Sequence, residues 1–171
     1  MAQNRILAFD VSGTATGWAY FVNSNLELFG KYIAKPTAPK GKKLLDFYIW
    51  IEDILTNKKP DIILIEKPYR GRNSNVLVNI SKFISVIELL AIKVLNLEID
   101  SSWLIDPKKI KTTLQVKKGR DYYDNKRLMV NKINSLYGLK LKFKAKKAKA
   151  YNDDDISDSI ALAHTWLILN K

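Results

Sequence analysis

The feature that most restricts the fold of this chain is a short apolar run that lies between two acids. Residues 61–66 read DIILIE, so four consecutive apolar residues separate two carboxylates. A strand with one wet face alternates apolar and polar residues, whereas an uninterrupted run is typical of a strand buried on both faces, usually in a parallel sheet. The run therefore predicts a central strand, whose parallel neighbour is reached through a right-handed crossover.

Apolar periodicity predicts the other elements around this strand. Three segments joined by short turns favour an antiparallel meander, and a further strand follows later in the chain. The predicted strands are 5–11, 17–22, 27–34, 61–66 and 99–105, and the predicted helices are 43–55, 76–95, 108–114, 124–137 and a last helix ending near 169. The expected fold class is α/β, with a five-stranded mixed sheet flanked by helices. We expect one domain covering residues 1–171.

Positive charge is concentrated in one quarter of the chain. The net charge is +12, and residues 106–150 hold 15 Lys or Arg against 3 Asp, so this segment carries the whole excess. Localised positive charge is typical of a nucleic-acid-binding surface. A solvated surface that aids solubility is the alternative reading. Residues 140–150 are rich in lysine and could form a mobile arm that is ordered only on binding.

Composition excludes some classes of site. The chain has no cysteine, so disulfides and thiolate metal sites are excluded. We find no apolar run near the ~20 residues of a membrane span and no signal-peptide pattern at the N-terminus, so we expect no membrane partner. The expected location is the cytoplasm of a bacterium or of a phage-infected host.

Four acids are expected to meet at one edge of the sheet. Asp10 and Glu66 end the first and fourth predicted strands, and these ends coincide if the two strands are parallel neighbours ~4.8 Å apart. The last helix opens with Asp155 and Asp158, three residues apart and therefore on one helical face. A helix packed on the sheet would bring both to the same place. Open α/β sheets bind ligands at such carboxyl ends.

The chemistry of these acids points to a metal site. Clustered carboxylates repel one another unless cations neutralise them. Oxygen ligands without cysteine favour Mg²⁺ or Mn²⁺, and two such ions ~3.5–4 Å apart can drive phosphodiester hydrolysis. Each acid alone could instead be a cap or turn residue, and Asp153 and Asp154 are interpreted as a helix cap and solvated charge. His164 points away from the acids and is predicted to pack in the core.

The motifs together resemble a known family. FDVSGTATGWA around Asp10, ILIEKPY around Glu66, and DISDSIALA with Asp155 and Asp158 are similar to RuvC-type Holliday-junction resolvases of the RNase H-like superfamily. The resemblance covers the chain almost end to end. It implies that these four residues are the metal-binding catalytic set. The lysine-rich stretch at 140–149 departs from the usual pattern and resembles the more basic phage or viral relatives.

The resemblance also implies roles for other residues. Lys111 and Lys126 match basic residues that act on phosphate near the scissile bond, and Tyr69 matches an aromatic that enters the junction centre. The family is dimeric through the helix that corresponds to residues 76–95, and that helix is apolar almost all round in this chain. The expected DNA contacts are Tyr69, Arg70, Arg72, Lys117, Lys118, Arg120, Lys142, Lys144, Lys146 and Lys147.

The function expected from these observations is a homodimeric, Mg²⁺-dependent endonuclease that nicks four-way DNA junctions with two ions per site. Another RNase H-like nuclease, acting on RNA or on general branched DNA, remains an alternative. A non-catalytic module that binds junctions with the same fold is a second one. An ATPase of the same superfamily is disfavoured, because the sequence lacks paired Gly-rich phosphate loops.

Overall fold

A mixed sheet between two layers of helices forms the centre of the fold. The computed structural model describes residues 4–68, 74–145 and 151–171. Its elements within those residues are β1 (Arg5–Asp10), β2 (Ala15–Val22), β3 (Asn25–Ile33), α1 (Lys40–Lys58), β4 (Ile62–Glu66), α2 (Ser74–Leu95), β5 (Leu104–Ile105), α3 (Pro107–Thr113), α4 (Tyr122–Tyr137) and α5 (Asp154–Leu169).

The order of the strands confirms the predicted sheet. Across the described residues the five strands lie in the order β3-β2-β1-β4-β5. The pairs β1–β2 and β2–β3 are antiparallel, while β1–β4 and β4–β5 are parallel. The meander and the two parallel strands are therefore as predicted, and β1 and β4 are direct neighbours.

The predicted fifth strand is wrong in length. Residues 99–105 were expected to be extended, but only Leu104–Ile105 pairs with β4. A short 3₁₀ turn, Ser101–Trp103, comes first, and the Asp100 carboxylate accepts a hydrogen bond of 2.7 Å from the Ser102 amide. Asp and Ser side chains compete in this way with a strand's backbone ladder, which shortens the strand.

The central strands separate two hydrophobic cores. Leu7 and Phe9 of β1 face the layer of α1 and α2, together with Ile63 and Ile65 of β4. The alternate residues Ile6, Ala8 and Leu64 face the layer of α3, α4 and α5. All of these side chains are fully buried. Side chains alternate between the faces of a strand, so a continuous apolar run supplies both cores.

Local signals in the sequence set the ends of the helices beside the carboxyl edge of the sheet. Asp106 caps α3 by accepting from the Lys108 amide at 2.7 Å, and Pro107 takes the first helical position. Asp121 caps α4 through the Asp124 amide at 2.8 Å, and Gly138 ends it with φ of 64°. That left-handed conformation favours glycine at a helix end.

Helix α2 corrects the expectation that no apolar segment approaches the length of a membrane span. By length and composition it is able to cross a membrane, with mean hydropathy of 1.7. A core helix passes the same test, so this is weak evidence for a span. Its buried residues pack in the core with α1 and the sheet, whereas Val76, Val78, Leu89 and Ile92 are exposed.

Helix α5 approaches the sheet most closely at Gly17 of β2. A Cβ atom at Gly17 would lie 1.8 Å from the carbonyl oxygen of Asp155 and 2.8 Å from the amide nitrogen of Ile156. Both atoms belong to backbone, so a flexible side chain cannot move aside to make room. The absence of a side chain at residue 17 therefore lets the first turn of α5 rest directly on the strand.

We expect the Gly17→Ala substitution to destabilise the fold. Overpacking of a filled core costs about 1–3 kcal/mol, occasionally more, and here the clash is with backbone. The free energy of unfolding in urea measures the effect. Gly41→Ala is the matched control, because no atom lies within 4 Å of its added Cβ and alanine favours the helix. Equal stability of the two variants would contradict the close contact of α5 with β2.

Candidate active site

The last residues of β1 and β4 stand side by side. The parallel pairing has a constant register, in which Ala8 lies opposite Leu64 and Phe9 opposite Ile65. One step further along, Asp10 and Glu66 end the two strands. Both are partly buried. The two carboxylates are adjacent, as the strand pattern predicted. Their adjacency follows from the register, because the pairing of β1 with β4 fixes both positions together.

The first turns of α5 add further acids to this edge. Asp155 is 2% exposed, and its charge raises the pKa of Asp10 together with the charge of Asp158. Helix α5 thus delivers both predicted residues to the neighbourhood of the strand ends. Their spacing of three residues and the contact at Gly17 put them there.

A lysine from α4 lies among the acids. The Lys126 Nζ atom donates a hydrogen bond to Oδ2 of Asp158 and lies 3.5 Å from Oδ2 of Asp154. Burial by itself lowers the pKa of this lysine, but the Asp158 and Asp10 carboxylates outweigh that effect and raise it. The side chain therefore stays protonated and neutralises part of the cluster.

The pKa values of the strand-end acids, Asp10 and Glu66, reflect the negative charge that Lys126 does not neutralise. Burial raises the pKa of Asp10 well above its ordinary value, and repulsion from Asp158 and Glu66 adds to this. Burial and then Asp158 raise the pKa of Glu66 to about 7, against the opposing effects of Lys126 and Lys111. One shared ammonium is thus insufficient to stabilise all of the carboxylates in their charged form.

The donor set suits a hard divalent cation. Every side chain of the acidic cluster offers oxygen, which Mg²⁺ and Mn²⁺ prefer, and the raised pKa values mark a site short of positive charge. Among the residues that the structure describes, however, no three Asp, Glu or His side chains converge closely enough to hold an ion. The chemistry of the residues fits a metal, while the ammonium of Lys126 takes part of that role.

The residues predicted to contact phosphate or DNA fall into four groups, of which Lys142 and Lys144 are described last. Lys111 and Lys126 lie beside the acids, because both act on the pKa of Glu66. Lys117, Lys118 and Arg120 are exposed in the loop between α3 and α4. Tyr69, Arg70, Arg72, Lys146 and Lys147 lie outside the described residues.

The described part of the basic arm is tied to the rest of the protein. Lys142 and Lys144 are exposed, but the Lys142 amide donates to Asp153 at 2.9 Å and the Lys144 amide donates to Asn152 at 2.7 Å. Asn134 holds the backbone of Leu141 by two further hydrogen bonds. Residues 141–144 are therefore anchored beside the start of α5, whereas residues 146–150 of the predicted arm lie outside the described residues.

Two interpretations of the acidic run need correction. Asp154 was taken for a cap or solvated charge, but it is 4% exposed and faces Lys126. Asp153 stands at the cap position without a side-chain cap bond, and it instead binds the basic segment. The spacing of four residues between Asp154 and Asp158 was a signal in the sequence that places both on one helical face.

The only histidine of the chain lies outside the cluster. His164 is half-buried, packs edge-on against the Tyr137 ring and shares a hydrogen bond with its hydroxyl. Burial lowers the pKa of His164. This position agrees with the predicted packed histidine that points away from the acids.

Comparison with solved structures identifies the architecture. Thermus thermophilus RuvC in complex with a Holliday junction substrate superposes with a TM-score of 0.72 at 13% identity, covering 97% of this chain and 94% of that one. The chain has the RuvC fold. A further Thermus thermophilus RuvC structure matches with a TM-score of 0.69, 14% identity and coverage of 97% and 95%.

A eukaryotic resolvase shares the RuvC architecture with less overlap. The yeast mitochondrial Holliday junction resolvase superposes with a TM-score of 0.61 at 16% identity, covering 96% of this chain and 78% of that one. No protein-family model and no curated protein sequence matches the chain. The resemblance inferred from the motifs is thus confirmed at the level of the fold.

We expect Lys126→Met to destabilise the protein by about 3 kcal/mol, because breaking a buried ion pair leaves carboxylates uncompensated. Chemical denaturation in the presence of a chelator measures this loss. Adding Mg²⁺ should then raise the melting temperature of the variant more than that of the wild type, because its carboxylates lack their ammonium.

Lys93→Met is the matched control for this test. Lys93 pairs with Glu52 at 2.7 Å on the surface, where water and salt screen an ion pair and leave it little effect on stability. If Lys126→Met is no less stable than Lys93→Met, the ammonium does not hold the acidic cluster together.

Proposed function

We propose that this protein is a divalent-metal-dependent endonuclease that cuts four-way DNA junctions. The observation that carries the proposal is the meeting of Asp10, Glu66, Asp155 and Asp158 at the carboxyl edge of a RuvC-type sheet. Collecting these charges costs stability. This cost is offset when cations bind to the carboxylates and a phosphate binds to the neighbouring lysines.

In this proposal Asp10, Glu66, Asp155 and Asp158 would hold Mg²⁺ or Mn²⁺. A divalent cation bound there supplies Lewis-acid activation of the phosphodiester and of water. The protein's own contribution is positional. The register of β1 and β4 sets the positions of the two strand-end carboxylates, and the start of α5, packed on β2 at Gly17, would hold Asp155 and Asp158 beside them.

The lysines of the site have a separate role. Lys111 and Lys126 lie beside the carboxylates and would neutralise the scissile phosphate. When DNA binds, Lys126 would give up its hydrogen bond to an aspartate and donate to a phosphate oxygen instead. The charge-assisted bond that it makes to Asp158 keeps the ammonium in position before then.

A basic surface adjoining the site supports DNA as the substrate. Lys117, Lys118 and Arg120 precede α4, and Lys142 and Lys144 are anchored beside the start of α5. These exposed cations therefore flank the two helices that contribute Lys126 and the aspartates. The similar Thermus thermophilus RuvC has been solved with a Holliday junction substrate. Affinity of the present chain for DNA should accordingly fall steeply with salt.

Helix α2 supplies a surface for a second copy of the chain. Val78, Leu89 and Ile92 are exposed on one face of it, opposite its buried residues, and an apolar patch of this kind marks an interaction surface. A twofold dimer would present two active sites to two strands of like polarity, as symmetric junction cleavage requires.

We expect the protein to sediment as a dimer at micromolar concentration and Leu89→Glu to shift it to monomer, because a charge would be buried without a partner. Leu169→Glu at the exposed end of α5 is the control and should leave the dimer intact. A monomeric wild type would refute the dimer.

The central test is the Asp10→Asn variant. We expect wild-type protein to nick a four-way junction with Mg²⁺ or Mn²⁺, and the variant to lose at least about a hundredfold in rate while binding the junction as tightly. Gel assays of cleavage, with mapped nick positions, and of binding without cleavage measure the two properties. A panel of flap, hybrid and four-way substrates separates junction cleavage from activity on general branched DNA or RNA.

A junction-binding module without catalysis is the second candidate. The observation in its favour is the ammonium of Lys126 among the carboxylates, together with the lack of a metal-enclosing set of three acids in the described residues. Equal binding by wild type and Asp10→Asn, with no cleavage by either under both metals, would establish this alternative and end the nuclease proposal.

A further inference from the structure

A pocket of about 690 Å³ opens directly beside the acidic cluster. Glu66, Asp158 and Lys126 line one side, so the pocket is continuous with the place where we put the scissile phosphate. The rest of its lining comes from Lys67 and Pro68 after β4, from α3 with its cap Asp106, and from the first turns of α4. Its volume lies within the ~300–1,000 Å³ typical of small-molecule sites. Hydrolysis of a phosphodiester needs only the carboxylate edge and leaves this space unexplained.

The interior of the pocket is apolar with an aromatic side chain at its edge. Ile110 and Met129 are nearly fully buried and line it from α3 and α4. Tyr122 also lines it, although the tyrosine is 61% exposed. The Lys126 ammonium lies 6.0 Å from the centroid of the Tyr122 ring. An exposed tyrosine over an apolar floor is suited to stack with a flat ring.

The charges around the pocket argue against a phosphate as its occupant. Three carboxylates, those of Glu66, Asp106 and Asp158, line it with four lysines. Two of these lysines, Lys111 and Lys126, already serve the scissile phosphate in our proposal, so no positive excess remains for a second anion. A neutral, flat, aromatic group fits this lining better. In a strand of DNA such groups are the bases, and each is covalently attached to the phosphates that flank it.

We propose that the pocket receives the base of a nucleotide adjacent to the scissile phosphate, unstacked from the junction and held against Tyr122. The inference rests on the proposed function, since it requires the phosphate to lie at the carboxylates. Base stacking restricts access to a nucleotide inside a DNA double helix. Removing a base from the stack costs least where base pairing is already disturbed. A branch point offers that situation.

Recognition in this pocket should tolerate different bases. The Asn125 amide lines it, but its oxygen accepts from the Gly119 amide at 3.0 Å and its nitrogen donates to the Asp121 carbonyl at 2.6 Å. Asp106 accepts from the Lys108 amide at 2.7 Å. Both polar atoms of the Asn125 amide and one oxygen of Asp106 are thus engaged within the protein, so we expect stacking with Tyr122 to contribute more than reading of base edges.

The test measures binding to junctions that lack one base. The protein carries Asp10→Asn so that substrates stay intact, with and without Tyr122→Ala, and each junction has a single abasic nucleotide at a different position next to the branch. We expect Tyr122→Ala to weaken binding to the intact junction roughly tenfold. On the one junction that lacks the inserted base the same substitution should have no effect, because its partner is absent.

Tyr123→Ala and Tyr122→Phe are the controls. Tyr123 is the next residue, its ring packs on Tyr122 with centroids 5.5 Å apart, and it does not line the pocket. Both controls should bind the intact junction like the parent, since one keeps Tyr122 and the other keeps its ring. Melting temperatures of all variants show whether Tyr122→Ala is folded.

Two outcomes overturn the base pocket while leaving the nuclease proposal intact. One is tight junction binding by Tyr122→Ala, equal to that of Tyr123→Ala. The other is a loss of the same size on the intact and on every abasic junction, which would mean that Tyr122 supports the backbone contacts alone. The cleavage assay is separate from these binding measurements. If the wild-type protein cuts no junction in that assay, the result contradicts the proposed function.

Discussion

The parallel pairing of β1 with β4 is the constraint on which the rest of the site depends. Each strand is buried on both faces, so the backbone hydrogen bonds between them are shielded from water and the register is set by side chains in two cores. A slip of one residue would exchange the two faces of the strand. Asp10 and Glu66 therefore occupy neighbouring positions because apolar residues several positions earlier are packed.

The same arrangement brings negatively charged side chains together, and the protein offsets their repulsion only in part. Burial raises the pKa of Asp10 and of Glu66, and repulsion from the Asp158 carboxylate adds to the increase for both. Lys126 offsets the repulsion through Asp154 and Asp158, yet its single charge is shared by several acids. The site is therefore short of positive charge, and this shortage links an ordinary structural cost to the catalysis that we propose.

Much of this architecture could be predicted from the sequence because its signals are local. The run at 61–66, the turns of the meander and the acids at two strand ends gave the sheet and the meeting of Asp10 with Glu66. The fifth strand was overestimated because Asp100 and Ser102 form a capped turn, which apolar periodicity does not detect. Asp154 was misjudged because its neighbour Lys126 is 28 residues away in the chain and reaches it only through packing of α4 on α5. The pocket beside Tyr122 is likewise a product of tertiary structure.

The contact between Gly17 and the start of α5 has a consequence for how the site responds to its ligands. Backbone lies against backbone there, with no side chain that changes rotamer and no space for an inserted water. The first turn of α5 is therefore held more firmly than a flexible loop when repulsion between its carboxylates and Asp10 increases. Relief must come from a proton, an ammonium or another cation that enters the cluster. In this fold a change in the charge of the cluster is therefore met by the binding or release of a proton or cation, and not by movement of the sheet.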